Sequence, residues 1–386
     1  MNFITVGKEN STPINLYYED HGSGKPVVLI HGWPLSGRSW EKQVPALLEA
    51  GFRVITYDRR GFGDSSKPTT GYDYDTLAED LNKIMTTLDL KDAAIVGFSM
   101  GGGEVARYLG KYGSTRVKKA VFMGAIPPFL LKTADNPAGV DGSVFEGIKK
   151  GIAADRLGFL TKFFENFYNL DLLKGKLISE EVVQNSWNIA AGASPKGTLD
   201  CVSSWLTDFR KDLATIDVPT LVIHGDSDRI VPLEVSGKLT HALVKGSKLA
   251  LLKGAPHGFT WTHAQETNRA LISFLRGIAL VLLFAMFFHP VGFAAEKKAL
   301  VFVPFKDYKP QKPTVTAPAA VAAAVAPSPA PVILPEMAPV PAPSPSDIVV
   351  AKDDLDRNEE LEQALQRLEN NQDTEDPSLT QKKDDV

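Results

Sequence analysis

Short, mainly apolar runs recur between residues 26 and 252, and they constrain the fold more than any other feature. The runs are Pro26–Ile30, Arg53–Tyr57, Ala93–Val96, Val117–Met123, Pro219–His224 and Lys248–Leu252. Such runs are typical of strands that are buried on both faces of a parallel sheet. Helix-compatible stretches, Trp40–Ala50 and Asp75–Leu88 among them, separate the early runs. The alternation predicts an α/β fold with a mostly parallel, doubly wound sheet, to which Ile14–Tyr18 adds an early edge strand.

The strand pattern stops at about residue 126 and resumes only after about residue 215. The intervening stretch has helical patterns without strands, at Val144–Ile152, Leu160–Tyr168, Ser179–Ala191 and Gly197–Phe209. We therefore expect a helical cap over the strand ends. Two of its aromatic residues, Phe163 and Trp205, are candidates for a substrate pocket together with Trp33, and the alternative for both cap residues is packing in the core of the cap. Two further helices, Leu233–Leu243 and His263–Arg276, complete this part of the chain.

The pentapeptide Gly97–Gly101, with Ser99 at its centre, directly follows one apolar run. Its G-x-S-x-G pattern predicts a nucleophile elbow, a turn between strand and helix so sharp that residues flanking the serine must be nearly free of side chain. A serine hydroxyl is a weak nucleophile until a base takes its proton, and that base needs a third group to hold its tautomer. Ser99 therefore predicts a histidine and a carboxylate in later strand-end loops.

His257 is the candidate base and Asp228 the candidate acid. Of the seven histidines, His257 lies in a Gly/Pro-rich loop after a late strand, whereas His31 comes too early in the chain and His224 is still inside its strand. The order serine, acid, histidine is the one expected for an elbow of this kind. Asp226 competes with Asp228, but it immediately follows the strand and its glycine, where an Asx-type hydrogen bond to its own loop is the alternative.

Two backbone amides are candidates for an oxyanion hole. The N–H of Met100 qualifies by its position directly after the nucleophile. The N–H of Trp33 qualifies because the His31–Pro34 loop ends the strand predicted beside the elbow, and Gly32 lets the backbone approach closely. Pro34 has no N–H and cannot donate.

The net charge and the cysteine content limit the classes of partner and cofactor that we expect for this chain. The formal net charge is −4, and no cluster of Lys or Arg forms a stripe that would meet a phosphate backbone, so we expect no nucleic-acid partner. Cys201 is the single cysteine, so it cannot form an intramolecular disulfide, and it does not argue for a cysteine-based metal site. We expect no metal and no cofactor. The N-terminus lacks the basic and apolar segments of a secretory signal, so a cytoplasmic location is expected for this part of the chain.

Residues 1–276 resemble the α/β-hydrolase superfamily, and within it the cofactor-free (non-heme) bacterial haloperoxidase and arylesterase group. The motifs that carry the resemblance are His31–Gly37, Tyr57–Gly63, Gly71–Asp75, Gly97–Tyr108 and His224–Asp228. The resemblance implies a triad of Ser99, Asp228 and His257 without metal or heme. Related enzymes that cleave carbon–halogen bonds or epoxides carry Asp at the elbow, and Ser99 argues against both activities.

The resemblance also implies the reaction. A small ester or carboxylic acid would acylate Ser99, and water would release the acid. Hydrogen peroxide could replace water and give a peracid, which oxidises halide in solution. A hydrolase-fold protein that binds a ligand or serves as a tethered scaffold, with little catalytic activity, stays open as the alternative. Neither the physiological substrate nor the oligomeric state follows from the sequence.

The C-terminal tail departs from the family. Residues 277–295 contain the unbroken apolar run Ile278–Phe288, for which three interpretations stay open: a membrane anchor, a secretory leader joined to a hydrolase gene, or a buried or interfacial extension. Residues 296–346 are rich in Ala and Pro and predict an extended linker without a packed core. Residues 347–386 are polar, with a short helix predicted around Leu361 and Leu365.

Overall fold

The computed structural model describes residues 2–277, and these form a sheet flanked by helices. The sheet contains eight strands, in the spatial order β1-β2-β4-β3-β5-β6-β7-β8. They are β1 (Phe3–Glu9), β2 (Thr12–His21), β3 (Pro26–Ile30), β4 (Arg53–Tyr57), β5 (Ala93–Phe98), β6 (Val117–Met123), β7 (Thr220–Gly225) and β8 (Lys248–Leu252).

Strands β3 to β8 pair in parallel, whereas β1 and β2 are antiparallel additions at one edge. The predicted run Ile14–Tyr18 belongs to β2, which lies second from the edge because β1 covers it. The prediction of an edge strand there was therefore wrong. The outermost strand has few buried residues, and its register shifts between Thr5 and Gly7, which weakens any alternating pattern in the sequence.

The parallel strands place their carboxyl ends at one edge of the sheet, and the segments of interest leave from there. His31 follows β3, Ser99 follows β5, Asp228 follows β7 within a few residues and His257 follows β8. Because β3 pairs directly with β5, Ile30 lies opposite Gly97. The His31–Pro34 loop and the elbow are therefore neighbours.

Helices pack against the sheet outside this edge. They are α1 (Gln43–Glu49), α2 (Tyr74–Thr87), α3 (Met100–Tyr112), α9 (Gly237–Leu243), α10 (Phe259–Thr262) and α11 (Ala264–Arg276). Two predicted helices each begin with a separate 3₁₀ turn instead of a full α-helix. Gly37–Trp40 precedes α1, and Leu233–Val235 precedes α9.

Between β6 and β7 the described chain forms helices and a few isolated β-bridges, with no strand of the sheet. The helices are α4 (Gly142–Phe167), α5 (Leu170–Leu173), α6 (Glu180–Ala191), α7 (Pro195–Ser204) and α8 (Arg210–Ala214). The first two predicted cap helices belong to α4, which is interrupted at Asp155 (φ −155°, ψ 89°). The Asp155 carboxylate accepts a hydrogen bond from the Gly158 N–H at 2.9 Å, as an N-cap does, so a second helical segment starts there.

The predictions for the tail, at 278–295, 296–346 and 347–386, lie outside the described residues. Within residues 2–277, no helix combines the length and apolar character that crossing a bilayer requires.

Candidate active site

Ser99 sits in a strained turn between β5 and α3. Its φ of 53° and ψ of −118° are far from the regions that a serine ordinarily adopts. The glycines on either side make the turn sterically feasible. A Cβ on Gly97 would lie 2.4 Å from the Gly101 carbonyl oxygen, and a Cβ on Gly101 would lie 2.4 Å from the Ile30 carbonyl oxygen. The turn therefore projects the Ser99 side chain from the sheet edge at the N-terminus of α3, where the helix dipole favours negative charge.

Ser99, His257 and Asp228 form one hydrogen-bonded chain. Ser99 Oγ lies 2.9 Å from His257 Nε2, and His257 Nδ1 lies 2.6 Å from Asp228 Oδ2. An ionised carboxylate only accepts, so Nδ1 carries the hydrogen and Nε2 is left to accept the Ser99 proton. His257 is completely buried, between the rings of Phe98 and Phe167 at centroid distances of 5.0 and 5.1 Å.

The two candidate acids have different partners. Asp228 Oδ1 accepts the N–H groups of Ile230 and Val231, each at 2.8 Å, which leaves Oδ2 for His257. Asp226 Oδ1 instead accepts the Gly254 N–H at 2.6 Å, so this side chain fastens its own loop to the loop after β8. The structure thus brings Asp228 to the base and keeps Asp226 out of the chain.

His224 also reaches this carboxylate. Its Nε2 donates to the Val231 carbonyl at 2.9 Å and lies 3.5 Å from Asp228 Oδ2. Burial lowers the pKa of His224, which keeps its ring neutral beside the acid.

The two candidate oxyanion donors flank Ser99. Met100 is the first residue of α3. The loop with Trp33 touches the nucleophile, since a Cβ on Gly32 would lie 3.0 Å from Ser99 Cβ. Among the described residues, neither the Trp33 nor the Met100 amide has a protein acceptor. Both amides are thus free to donate to a ligand.

Of the three candidate pocket residues, Trp33 contacts each of the other two. The Trp33 ring packs edge-to-face with the rings of Phe163 and Trp205, with centroid distances of 5.1 and 4.9 Å. The Trp33 indole N–H donates to the Thr198 carbonyl at 3.0 Å. Phe163 and Trp205 keep partial exposure, whereas Trp33 is buried. The cap therefore places aromatic side chains against the loop that carries one candidate oxyanion donor.

The cap is also hydrogen-bonded to the loops that carry the candidate base, His257, and the candidate acid, Asp228. The Gly258 N–H donates to the Phe167 carbonyl at 2.7 Å, and Asn169 Nδ2 donates to the Ser227 carbonyl at 2.9 Å. Asn169 is buried and has a left-handed backbone (φ 49°, ψ 54°). Nothing in the sequence pattern around Asn169 indicates this contact, because it joins segments 58 residues apart.

A buried polar cluster contacts the His31–Pro34 loop, which we call the oxyanion loop after its candidate donor, and sequence reasoning missed this cluster. Arg59 Nε donates to Glu104 Oε1 at 2.6 Å, Tyr57 Oη donates to Glu104 Oε2 at 2.5 Å, and Arg59 Nη2 donates to the His31 carbonyl at 2.7 Å. Burial raises the pKa of Glu104, and the charge of Arg59 opposes that shift. The sequence feature that could have indicated this cluster is Glu104, a charged residue among the apolar and glycine residues at the start of α3.

Among residues 2–277, no group of three or more His, Cys, Asp or Glu side chains is arranged to hold a metal ion. Cys201 is buried, and burial raises the pKa of its thiol to about 12. It therefore stays a thiol at neutral pH and is a poor nucleophile.

Comparison with known proteins agrees with this architecture. The family model of the α/β hydrolase fold matches residues 25–264. A putative non-heme chloroperoxidase of Synechocystis is 62% identical over 276 residues, which are 72% of this chain and all of that protein. A bifunctional esterase/perhydrolase of Acinetobacter calcoaceticus is 37% identical over 68% of this chain and 96% of its own length. The crystal structure of a bromoperoxidase from Bacillus anthracis has 57% identity and a TM-score of 0.69, and covers 71% of this chain and 99% of its own. The chain belongs to the α/β-hydrolase family, within its group of non-heme haloperoxidases.

Proposed function

We propose that Ser99, His257 and Asp228 are the catalytic triad of a hydrolase that cleaves small carboxylic esters through an acyl-enzyme. The Ser99 oxygen attacks the ester carbonyl while His257 Nε2 takes its proton. Asp228 holds the tautomer that leaves Nε2 free and stabilises the imidazolium that forms. His257 then protonates the departing alkoxide, so the ester C–O bond breaks and the acyl group stays on Ser99.

The negative charge that develops on the carbonyl oxygen needs donors that are already in place. The Trp33 and Met100 amides fill this role in the proposal, with the N-terminus of α3 adding a favourable dipole. Removing one such donor from a serine hydrolase typically costs about 10²- to 10³-fold in kcat. Phe163 and Trp205, packed on Trp33, are proposed to contact the acyl or alcohol part of the substrate.

Water or hydrogen peroxide completes the cycle. Water attacks the acyl carbon, His257 takes its proton, and Ser99 leaves with that proton as a free hydroxyl, so the product is a carboxylic acid. Hydrogen peroxide in the same step gives a peracid. The peracid then oxidises a halide ion in solution to hypohalous acid and is itself reduced to the carboxylic acid. Halide oxidation is thus a later consequence of the same acyl-enzyme.

The observation that carries the proposal is the continuous Ser99–His257–Asp228 chain, 2.9 and 2.6 Å long in its two contacts, on a nucleophile in a strained turn. The esterase/perhydrolase name of the Acinetobacter relative supports the same chemistry. No described contact specifically favours the alternative of a ligand-binding or scaffold protein.

We also propose that the hydrolase domain ends near residue 276, with the cap at about 126–215. Helix α11 ends at Arg276, and Gly277 closes it with the left-handed backbone (φ 76°) typical of a helix C-terminus. The Synechocystis relative aligns over its whole length with 276 residues of this chain. The boundaries proposed for the tail rest on sequence composition alone.

The proposed reaction is tested by p-nitrophenyl acetate hydrolysis with the full chain and its Ser99→Ala variant. We expect Ser99→Ala to lower kcat by at least about 10³-fold, because no other group accepts the acyl chain. Adding hydrogen peroxide and bromide with a halogen-accepting dye extends the assay to peracid formation, which the same substitution should abolish. Equal rates for the two proteins would refute the proposed function.

A further inference from the structure

His31 uses both of its ring nitrogens, and their partners define its tautomer. Nδ1 lies 2.8 Å from the Gly32 carbonyl oxygen, which can only accept, so Nδ1 carries the hydrogen. Nε2 lies 2.9 Å from the Arg59 backbone N–H, which can only donate, so Nε2 is bare. Burial, reinforced by the charge of Arg59, holds the pKa of His31 well below its usual range. The ring is therefore neutral at working pH, and both hydrogen bonds persist.

The Gly32 carbonyl accepts hydrogen bonds from His31 Nδ1 at 2.8 Å and from the Leu35 N–H at 3.1 Å, and the shorter bond, from His31, ties the orientation of this peptide group to the buried ring. The Gly32–Trp33 peptide is trans, so its C=O and N–H point to opposite sides of a rigid plane. With the Gly32 carbonyl directed at His31, the Trp33 N–H faces away from His31. The Gly32 α-carbon lies against Ser99, where a Cβ would be only 3.0 Å from that of the serine. Rotating this peptide would break the bonds from His31 and Leu35 and leave the Gly32 carbonyl without partners.

Arg59 and Glu104 connect the same loop to the helix that carries the other oxyanion donor. Arg59 holds the His31 carbonyl at 2.7 Å and the Glu104 carboxylate at 2.6 Å, and all three residues are at most 1% exposed. Glu104 lies four residues after Met100, one turn into α3. The two donors therefore belong to segments joined by one buried ion pair.

We propose that His31 is the positioning residue of the oxyanion hole: it fixes the Gly32–Trp33 peptide, while Arg59 and Glu104 hold that peptide in register with the Met100 amide. This inference rests on the proposed ester hydrolysis, because it assigns a role within that reaction. His31 does not touch the substrate. It acts through the direction of the Trp33 N–H.

Two substitutions separate the two hydrogen bonds of His31. In His31→Asn the side-chain amide takes the place of Nδ1 and can still donate to Gly32, but nothing replaces Nε2. In His31→Gln the amide reaches the place of Nε2 and can accept from Arg59, but the Gly32 carbonyl keeps only the longer bond from the Leu35 N–H. We expect His31→Gln to lower kcat/KM for p-nitrophenyl acetate by about 10- to 100-fold, somewhat less than complete loss of one donor, and His31→Asn to stay close to the unmodified chain.

The deciding measurement compares binding of substrate with binding of a tetrahedral mimic. A trifluoromethyl ketone adds to Ser99 and puts an oxyanion where the transition state has one, so its affinity reports the hole directly. His31→Gln should weaken trifluoromethyl ketone binding by the same factor as kcat/KM and leave KM nearly unchanged. Asp80→Asn is the matched control, because it disturbs a buried ion pair with Arg60, at 2.6 Å, outside the oxyanion loop. It should lower stability and leave both kinetic quantities unchanged.

Each outcome decides between the two claims. Two results would overturn the positioning role while the proposed function stands, provided that Ser99→Ala is inactive. In the first, His31→Gln keeps full kcat/KM; in the second, His31→Gln and His31→Asn lose kcat/KM equally. If Ser99→Ala is as active as the unmodified chain, the proposed function itself fails. Should His31→Gln not fold, Glu104→Gln replaces it, since it weakens the grip of Arg59 on the loop. Equal losses in kcat/KM and ketone affinity support the inference, and unchanged values overturn it.

Discussion

The substitution Gly101→Ala, which adds one methyl group, tests the geometry of the nucleophile elbow. A Cβ there would lie 2.4 Å from the Ile30 carbonyl oxygen and 3.0 Å from that of His31, whereas ordinary contact begins at 3.4 Å. The first contact is with backbone and is about 1 Å too short, so α3 and the end of β3 must separate by a similar distance. Overpacking of this kind costs about 1–3 kcal/mol, against which alanine regains up to about 1 kcal/mol of helix propensity.

The catalytic consequence of Gly101→Ala should exceed the loss of stability. The displaced carbonyls belong to the segment that leads into Gly32 and Trp33, so Ser99 and one oxyanion donor move apart. A displacement of about 1 Å at a reacting centre can cost about 10²-fold in rate. We therefore expect kcat/KM for p-nitrophenyl acetate to fall by about two orders of magnitude, with a urea-unfolding free energy lower by about 0–2 kcal/mol once the gain in helix propensity is subtracted.

Gly147→Ala is the matched control for that substitution. Gly147 is exposed in α4, and a Cβ there has no neighbour within 4 Å. It should gain up to about 1 kcal/mol of stability and keep full activity. A Gly101→Ala variant with unchanged kcat/KM and stability would refute the steric reasoning.

Two further predictions concern the acid and the buried histidines. Asp228→Asn should lower kcat by about 10³- to 10⁴-fold, because an amide no longer holds the productive tautomer of His257. Asp226→Asn keeps an oxygen that accepts from the Gly254 N–H, so its kcat should be nearly unchanged. Equal losses of kcat for the two variants in steady-state assays would contradict the assignment of Asp228 as the acid. Burial lowers the pKa values of His31 and His224, so below about pH 6.5 the unfolded chain binds protons that the folded chain does not. The free energy of unfolding should therefore decrease as the pH is lowered, by up to about 1.4 kcal/mol per pH unit for each ring. Urea titrations between about pH 7.5 and 5.5 should give a shallower slope for His31→Asn, and an unchanged slope would contradict the linkage.

The sequence was most informative where burial is complete on both faces of the sheet. Strands β3, β4 and β6 have the predicted bounds, because parallel strands in the centre of a sheet read as continuous apolar runs. Strand β8 also has the predicted bounds, although it is the outermost strand at the other edge and mostly exposed or half-buried. The edge strand β1 escaped prediction, since its residues are mostly exposed and a register shift interrupts it. Helix starts were less accurate than strands, because a 3₁₀ turn and the first turn of an α-helix have similar local patterns.

The candidate site, like the fold, was predicted only in part from the sequence. The Ser99, Asp228 and His257 candidates follow from chain order and strand ends, and the structure places their side chains in contact. The support for the oxyanion loop could not be inferred, because it joins His31, Arg59 and Glu104 from three separate segments. His31 looked unimportant because it comes too early to be the base, yet its place directly before Gly32 and Trp33 is what lets it hold their peptide.

The most direct measurement of the central claim is peptide mapping by mass spectrometry of the full chain, quenched during turnover of p-nitrophenyl acetate. The proposed mechanism predicts an acetyl group on Ser99 that disappears once substrate is exhausted, and that disappears faster when hydrogen peroxide is added. Ser99→Ala should carry no acetyl group at this position and should not turn over. Turnover of the unmodified chain without any acyl group on Ser99, or acetylation at another residue that matches the rate of turnover, would contradict the mechanism.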